Sequence, residues 1–448
     1  MDYDIIIIGA GPAGYAAAIR ASQLGMKTAL VEKDRIGGMC INWGCIPTKS
    51  IIESARNFYK AGKISEFGID GIDASKLLFN WNKVKSRTRG ISSRLVDGIH
   101  GVMQKNGVEI ITGFAKIAAD KSVIIDNRNI TAKYIIIATG SFPAEINDKF
   151  SEGLVVNMNK FFDLEVLPEN VVVYGTGGIA VEMAQFFRLI GKNVYLITDG
   201  QRMLPSFDDS LQSYILKKLI DDGVNVITSG IIEKAEDNKI YVNDKIINCD
   251  NIINCSFRKA ILPKTELKLE LTELGFIKAN DNFETNVESV FAIGDVNGKS
   301  YLAHLASAEG LWVINKIKGI HADFKLSNYP LNLYTVPEIA QIGMTEQQIA
   351  DAGIEYKISE LPFSSNGKAL IEGNTEGFMR LLSDKKLGQV LGVQIVASNA
   401  TDMIAEASAF IQVEGTIYDV AQTIHAHPTI SEIFTETGFD AMNKAMNE

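Results

Sequence analysis

The most regular feature of the chain is one pattern of apolar and polar positions that occurs twice. Residues 4 to 8 (DIIII) form a short apolar run, GAGPAG follows at once, YAAAIRASQLG alternates small and apolar residues at helical spacing, and TALVE is a second apolar run ending at Glu32. The same order returns in VVVYGTGGIAVEMAQFFRLIGKNVYLIT, which starts at residue 171. Each copy predicts a strand, a tight turn, a helix and a second strand, the unit from which parallel sheets are built. Between them, residues 50 to 110 read as long polar-apolar helices. The fold class expected is therefore α/β, with two Rossmann-like dinucleotide-binding units and further α/β structure in the C-terminal quarter.

The glycines in the two turns are spaced for a purpose. Gly9, Gly11 and Gly14 stand in G-x-G-x-x-G order, and Gly175, Gly177 and Ala180 occupy the same three small-residue positions. Such a turn lets a pyrophosphate approach the N-terminus of the following helix, where unpaired N–H groups and the helix dipole favour an anion. A carboxylate at the end of the second strand then accepts hydrogen bonds from a ribose. Glu32 fills that place in the first unit. The same count from Gly175 reaches Thr198, which has no carboxylate, and Asp199 is the nearest acid. Asp199 would repel a 2′-phosphate, and Arg202 is the closest arginine, so the second unit leans towards NAD; Ala180 and Ala184, in place of glycines that often accompany NAD, lean the other way.

Composition narrows the class. The chain has 448 residues, 46% hydrophobic and 22% charged, the mix of an ordinary globular protein of several domains. Its net charge of −10 and lack of any Lys/Arg block argue against nucleic acid as a partner. No apolar run approaches the ~18 to 20 residues that cross a bilayer, and the acidic residues before the first isoleucines are unlike a secretory signal. A cytoplasmic location is expected, and no membrane partner. In a reducing compartment a close cysteine pair is catalytic or metal-binding more often than structural.

Such a pair exists. Cys40 and Cys45, two of four cysteines, lie in GGMCINWGCIPTKS. Five residues along one straight helix are ~7.5 Å apart, too far for a disulfide. If the two pair, the segment is irregular, and Gly37, Gly38, Gly44 and Pro47 supply the means. Pro47 suits a first helical turn, and a helix N-terminus there would stabilise a thiolate on Cys45. Inert buried thiols are the plain alternative. Zinc would need ligands that neither the spacing nor a nearby histidine offers, and no metal is expected. Cys249 and Cys255, in a strand-like stretch, read as buried thiols. Of five histidines, His425 and His427 precede Pro428. Thiol–disulfide exchange needs a thiolate, imidazole is the side chain best suited to take that proton near neutral pH, and Glu432 could orient such a ring.

Taken together, GGMCINWGCIPTK after GAGPAG, IIIATGS at 135 to 141, VFAIGDV at 290 to 296 and HAHPTISE at 425 to 432 closely resemble the class I pyridine nucleotide-disulfide oxidoreductase family. LAHLASAEG at 302 to 310 and the tail motif resemble its dihydrolipoamide-oxidising branch. The resemblance implies a redox-active Cys40–Cys45 disulfide, FAD on the first unit with Gly140 and Asp295 contributing, NAD on the second, and a Lys49–Glu182 pair beside the flavin. It also implies His427 as base, Glu432 as its orienter, His425 as structural, and a homodimer in which His427 reaches the other subunit's disulfide. A lipoyl-bearing protein of a 2-oxoacid dehydrogenase complex or of the glycine cleavage system is the expected partner. The expected division is an FAD unit at 1–145, an NAD unit at 146–265, a central segment completing the FAD site at 266–330 and an interface domain at 331–448.

Departures from the family pattern are Thr198, Val336 in YTVPE, and SFRKA at 256 to 260, where a glycine before the arginine and a proline after the basic pair are more usual. Two other readings remain: an NADPH-dependent reductase of glutathione or another disulfide, and a non-catalytic flavoprotein that serves assembly of a multienzyme complex.

Overall fold

The computed structural model describes residues 1–146, 150, 153–198, 200–236, 238–321 and 324–443. The first predicted unit forms as Tyr3–Ile8, the helix Pro12–Gln23 and Thr28–Glu32. These strands lie in a five-stranded parallel sheet ordered Val290–Ala292, Ala132–Ile137, Tyr3–Ile8, Thr28–Glu32, Glu109–Thr112. Ile5, Ile6 and Ile7 are fully buried, as a strand covered on both faces requires. The second unit repeats the plan: Asn170–Tyr174, the helix Gly178–Leu189 and Asn193–Ile197 belong to a parallel sheet flanked by Asn225–Ile227, Asn251–Asn254 and Val155–Asn157. In both sheets the first strand of the unit is central, so its C-terminal end opens where the strand order reverses.

The stretch expected to be helical between the units holds two helices, Cys45–Ala61 and Trp81–Lys105, with two short 3-10 turns between them. Trp81 anchors the second by donating its indole N–H to the Leu164 carbonyl at 2.9 Å, and it meets Phe161 edge-to-face and stacks on Phe162. Two short ladders return the chain from the second unit to the first. Arg258–Ala260 pairs antiparallel with Ser141–Pro143, and Lys264–Thr265 pairs with Ala115–Ile117.

The C-terminal region is an antiparallel sheet ordered Leu331–Leu333, Glu338–Gly343, Val390–Ala397, Phe378–Asp384, Tyr356–Pro362. Helices Ala400–Gln412 and Glu432–Ala441 pack on it through Met403, Ile404, Ile433 and Phe434. The loop between Gln422 and Glu432 carries both histidines of the tail motif. No described helix is long and apolar enough to cross a membrane.

Candidate active site

Both glycine turns have one geometry, and it follows from sterics. Gly9 and Gly175 have φ of +106° and +149°, and a Cβ on either would strike a carbonyl oxygen of the neighbouring strand's end, Ala138 at 2.4 Å and Cys255 at 2.3 Å. Only glycine permits that approach. The following helices are preceded by Gly11 and Gly177, extended cap residues with no side chain to cap the helix, and a Cβ on either would meet no atom within 4 Å. Each unit thus presents uncapped N–H groups over open space, a cradle that fits a pyrophosphate twice over.

The rest of the two units differs. Glu32 accepts the Ala10 N–H at 2.8 Å and the Asp34 N–H at 2.9 Å, so its carboxylate stands at the mouth of the first cradle. Thr198 is fully buried and its hydroxyl donates to the Gly200 carbonyl at 2.6 Å, turned into its own loop. Asp199 lies outside the described residues. Gly140 has φ +77° with open space beside it, and its carbonyl accepts the Ile261 N–H at 2.9 Å. Asp295, in the turn Gly294–Asn297, accepts the Ser141 hydroxyl at 2.5 Å and lies 3.5 Å from Arg258 Nε. Ser141 and Arg258 carry no local sequence signal for this role, since their pairing spans more than a hundred positions.

The cysteine segment breaks where glycine predicts. A short helix Gly38–Asn42 carries Cys40, the backbone turns through Trp43 and Gly44, and Cys45 opens the helix Cys45–Ala61 with Pro47 in its first turn. The break brings the sulfurs together as a thiol pair, Cys40 half-buried and Cys45 exposed. The Cys40 thiol hydrogen-bonds to the Cys45 sulfur, which lowers the Cys45 pKa to about 7; burial opposes this and the Lys49 charge assists it. That shared bond, then burial, drives the Cys40 pKa up. Cys45 is the thiolate of the pair, helped by its place at a helix N-terminus. Cys249 is buried with its pKa pushed up to about 12, while Cys255 is only half-buried by surface, and the protein atoms packed around its sulfur, then the Glu182 carboxylate, raise its pKa.

One helical turn beyond Cys45, Lys49 Nζ contacts Glu182 Oε2 at 2.7 Å. Glu182 is 2% exposed, and its other oxygen accepts the Tyr334 N–H at 3.0 Å. The Lys49 ammonium also lies 4.8 Å from the Tyr334 ring centroid. Burial disfavours the charge on Lys49, but the carboxylate outweighs it and raises the pKa. This pair joins the first unit to the second directly below the cysteines. Tyr334 had no sequence signal, because its role depends on the C-terminal sheet docking here.

The two histidines of HAHPTISE have different surroundings. His425 is held at both ring nitrogens, by the Thr435 hydroxyl at 2.7 Å and by Glu406 at 2.7 Å, and stacks on Phe434. A ring so held is a strut. The His427 side chain is 81% exposed, and its Nδ1 faces Glu432 Oε1 at 2.9 Å. The Thr429 N–H, at 2.8 Å from the other oxygen, and then His427 keep the Glu432 carboxyl below the usual range, so it accepts at physiological pH. Nδ1 therefore carries a proton towards the carboxylate, and the rest of the ring is open to solvent. Among the described residues no hydrogen bond links His427 to either cysteine.

Residues 3–310 match the family model for pyridine nucleotide-disulphide oxidoreductases, and residues 329–437 match the dimerisation domain of the same family. A dihydrolipoyl dehydrogenase of Bacillus subtilis is 34% identical, the alignment covering 97% of this chain and 96% of that one. One of Geobacillus stearothermophilus is 35% identical over 97% and 95%. Among solved structures, LpdA of Mycobacterium tuberculosis superposes with a TM-score of 0.88 at 20% identity, covering 97% and 99%. The HOCl-induced flavoprotein disulfide reductase RclA of Escherichia coli does so with 0.84 at 23% identity, covering 96% and 98%. With two nucleotide cradles, a thiol pair between them and a matched dimerisation domain, the chain belongs to the pyridine nucleotide-disulphide oxidoreductase family.

Proposed function

We propose that the chain is a dihydrolipoamide dehydrogenase, oxidising protein-bound dihydrolipoamide through Cys40 and Cys45 with FAD and reducing NAD. The observation that carries this reading is the hydrogen-bonded thiol pair above the Lys49–Glu182 bridge, in a chain 34% identical over nearly its whole length to a dihydrolipoyl dehydrogenase. The FAD unit is assigned to 1–145 with the central segment 266–330, the NAD unit to 146–265, and the interface domain to 331–448. Gly9, Gly11, Gly14, Glu32, Gly140 and Asp295 would hold FAD, and Gly175 and Gly177 the NAD pyrophosphate.

The chemistry of the thiols follows from their positions. With the pair oxidised, a substrate thiolate attacks the Cys40 sulfur, the Cys40–Cys45 bond breaks, and Cys45 leaves as the thiolate its environment favours. The second substrate thiol attacks its own mixed disulfide, releasing a cyclic disulfide and leaving two electrons on the pair. FAD, when bound, supplies the two-electron carrier between these thiols and the nicotinamide. Lys49 and Glu182 would hold their charge pair beside FAD. In a homodimer the partner's His427 takes the substrate thiol proton at Nε2, and Glu432 stabilises the cation formed. The lipoyl group would come from a 2-oxoacid dehydrogenase complex or the glycine cleavage system, in the cytoplasm, where a close cysteine pair stays available for redox exchange.

Anaerobic titration of the FAD-loaded protein with dihydrolipoamide tests the reading. Turnover with NAD and a long-wavelength thiolate-to-flavin absorption band are expected. Activity only with glutathione disulfide and NADPH would replace the substrate assignment, and a yellow protein with neither band nor turnover would indicate an assembly component. If Asp199 repels a 2′-phosphate, kcat/KM favours NAD over NADP by about tenfold, ~1.4 kcal/mol.

A further inference from the structure

The connection at 255–258 touches both nucleotide units within four residues. At one end the Cys255 carbonyl abuts Gly175, in the second glycine turn. At the other, Arg258 donates from Nε to the Ser141 hydroxyl at 2.7 Å and from a terminal nitrogen to the Ser141 carbonyl at 2.9 Å, and its Nε lies 3.5 Å from Asp295. Between them the Phe257 carbonyl accepts the Ala144 N–H at 2.7 Å, and Ser256 is tied to Asn254, so the backbone is rigid.

On this strap Phe257 is 45% exposed. It packs edge-to-face on Phe276 with centroids 6.1 Å apart, and Phe276 in turn touches Tyr301 at 6.0 Å. Phe276 is 2% exposed and Tyr301 41%, so the row has a buried middle and two open ends. Burial, then the Asp295 charge, raise the Tyr301 pKa. Phe257 therefore stands on the strap that runs from the cradle of the second unit to the Arg258–Asp295 contact, with an open ring face available to a dinucleotide bound on that cradle. The family pattern usually has glycine, with no side chain, at the Phe257 position.

We infer that Phe257 is a positioning residue for the nicotinamide half of the bound dinucleotide. The inference rests on the assignment of the second unit to NAD. Its logic is a transfer of contact from one end of the nucleotide to the other. Thr198 turns inward and offers the adenosine ribose no carboxylate, whereas Phe257 supplies apolar area that the flat nicotinamide riboside covers.

The test is equilibrium binding of NADH and of AMP to the FAD-loaded wild type, Phe257→Gly and Phe257→Tyr, with thermal midpoints alongside. Phe257→Gly is expected to weaken NADH about tenfold and raise the KM for NAD by a similar factor with kcat retained, to leave AMP affinity unchanged, and Phe257→Tyr to bind NADH as wild type does. Unchanged or tighter NADH binding by Phe257→Gly would overturn the inference, showing the ring idle or obstructive. Equal loss of AMP and NADH with a lower thermal midpoint would overturn it in favour of simple packing. A wild type that binds neither AMP nor NADH would overturn the NAD assignment itself, and the inference with it.

Discussion

Glu309 is expected to make the stability of the protein fall as pH rises through neutrality. It lies on the helix Ala303–Ile317, 2% exposed, and a single carboxylate oxygen, Oε2, accepts both the Gly294 N–H at 2.7 Å and the Asn297 side-chain amide at 3.0 Å. It thereby clamps the turn that carries Asp295. Burial raises its pKa from 4.5 to about 7, with those hydrogen bonds only partly opposing. The native state then holds the proton more tightly than the unfolded chain does. Stability is full below the unfolded pKa near 4.5 and is lost as pH rises through about 7, for a total of about 3 kcal/mol. Of this, about 2 kcal/mol falls between pH ~5.5 and ~8.5. Glu309→Gln keeps the acceptor and cannot ionise. Denaturant unfolding of both FAD-loaded proteins across that window should show the variant gaining about 2 kcal/mol on the wild type, or a few degrees in Tm. A gap that stays constant with pH would refute the reasoning, since it would mean that Glu309 binds its proton no more tightly in the native state than in the unfolded chain.

Three further outcomes are expected. Cys45→Ser retains FAD, since the cradle residues are elsewhere, but loses dihydrolipoamide turnover and the long-wavelength band; wild-type turnover would remove the thiol pair from the mechanism. His427→Gln lowers lipoamide-linked turnover by ~10²-fold or more while NADH still reduces the flavin, and mixing it with Cys45→Ser under subunit exchange restores activity from the one intact site of each heterodimer. If exchange is seen by mass and no activity returns, the site is not shared between subunits. Arg380, which bonds Asp208 at 3.2 Å and Glu346 at 3.1 Å, covers a buried carboxylate; Arg380→Met should cost about 3–5 kcal/mol in unfolding experiments without changing the flavin spectrum.

The parts of this protein legible in its sequence are those with short-range causes. Runs such as DIIII and VVVY, the glycines that must sit against a neighbouring carbonyl, and the Gly44 break between Cys40 and Cys45 all act over a few residues, and the structure forms each where the pattern puts it. The Lys49–Glu182 bridge, 133 positions apart, was reached only through family resemblance, because no periodicity extends that far. His-x-His likewise does not say which ring is exposed; the helices that bring Glu406, Thr435 and Phe434 around His425, and leave the His427 ring largely open to solvent, decide it. Tyr334 beneath Lys49, the inward hydroxyl of Thr198 and the open ring of Phe257 were decided by tertiary structure alone. Hydrophobic alternation determines which face of an element is buried, but the partner of each polar group is chosen when separate sheets dock, where every buried donor and acceptor must find its bond from whatever the neighbouring element presents.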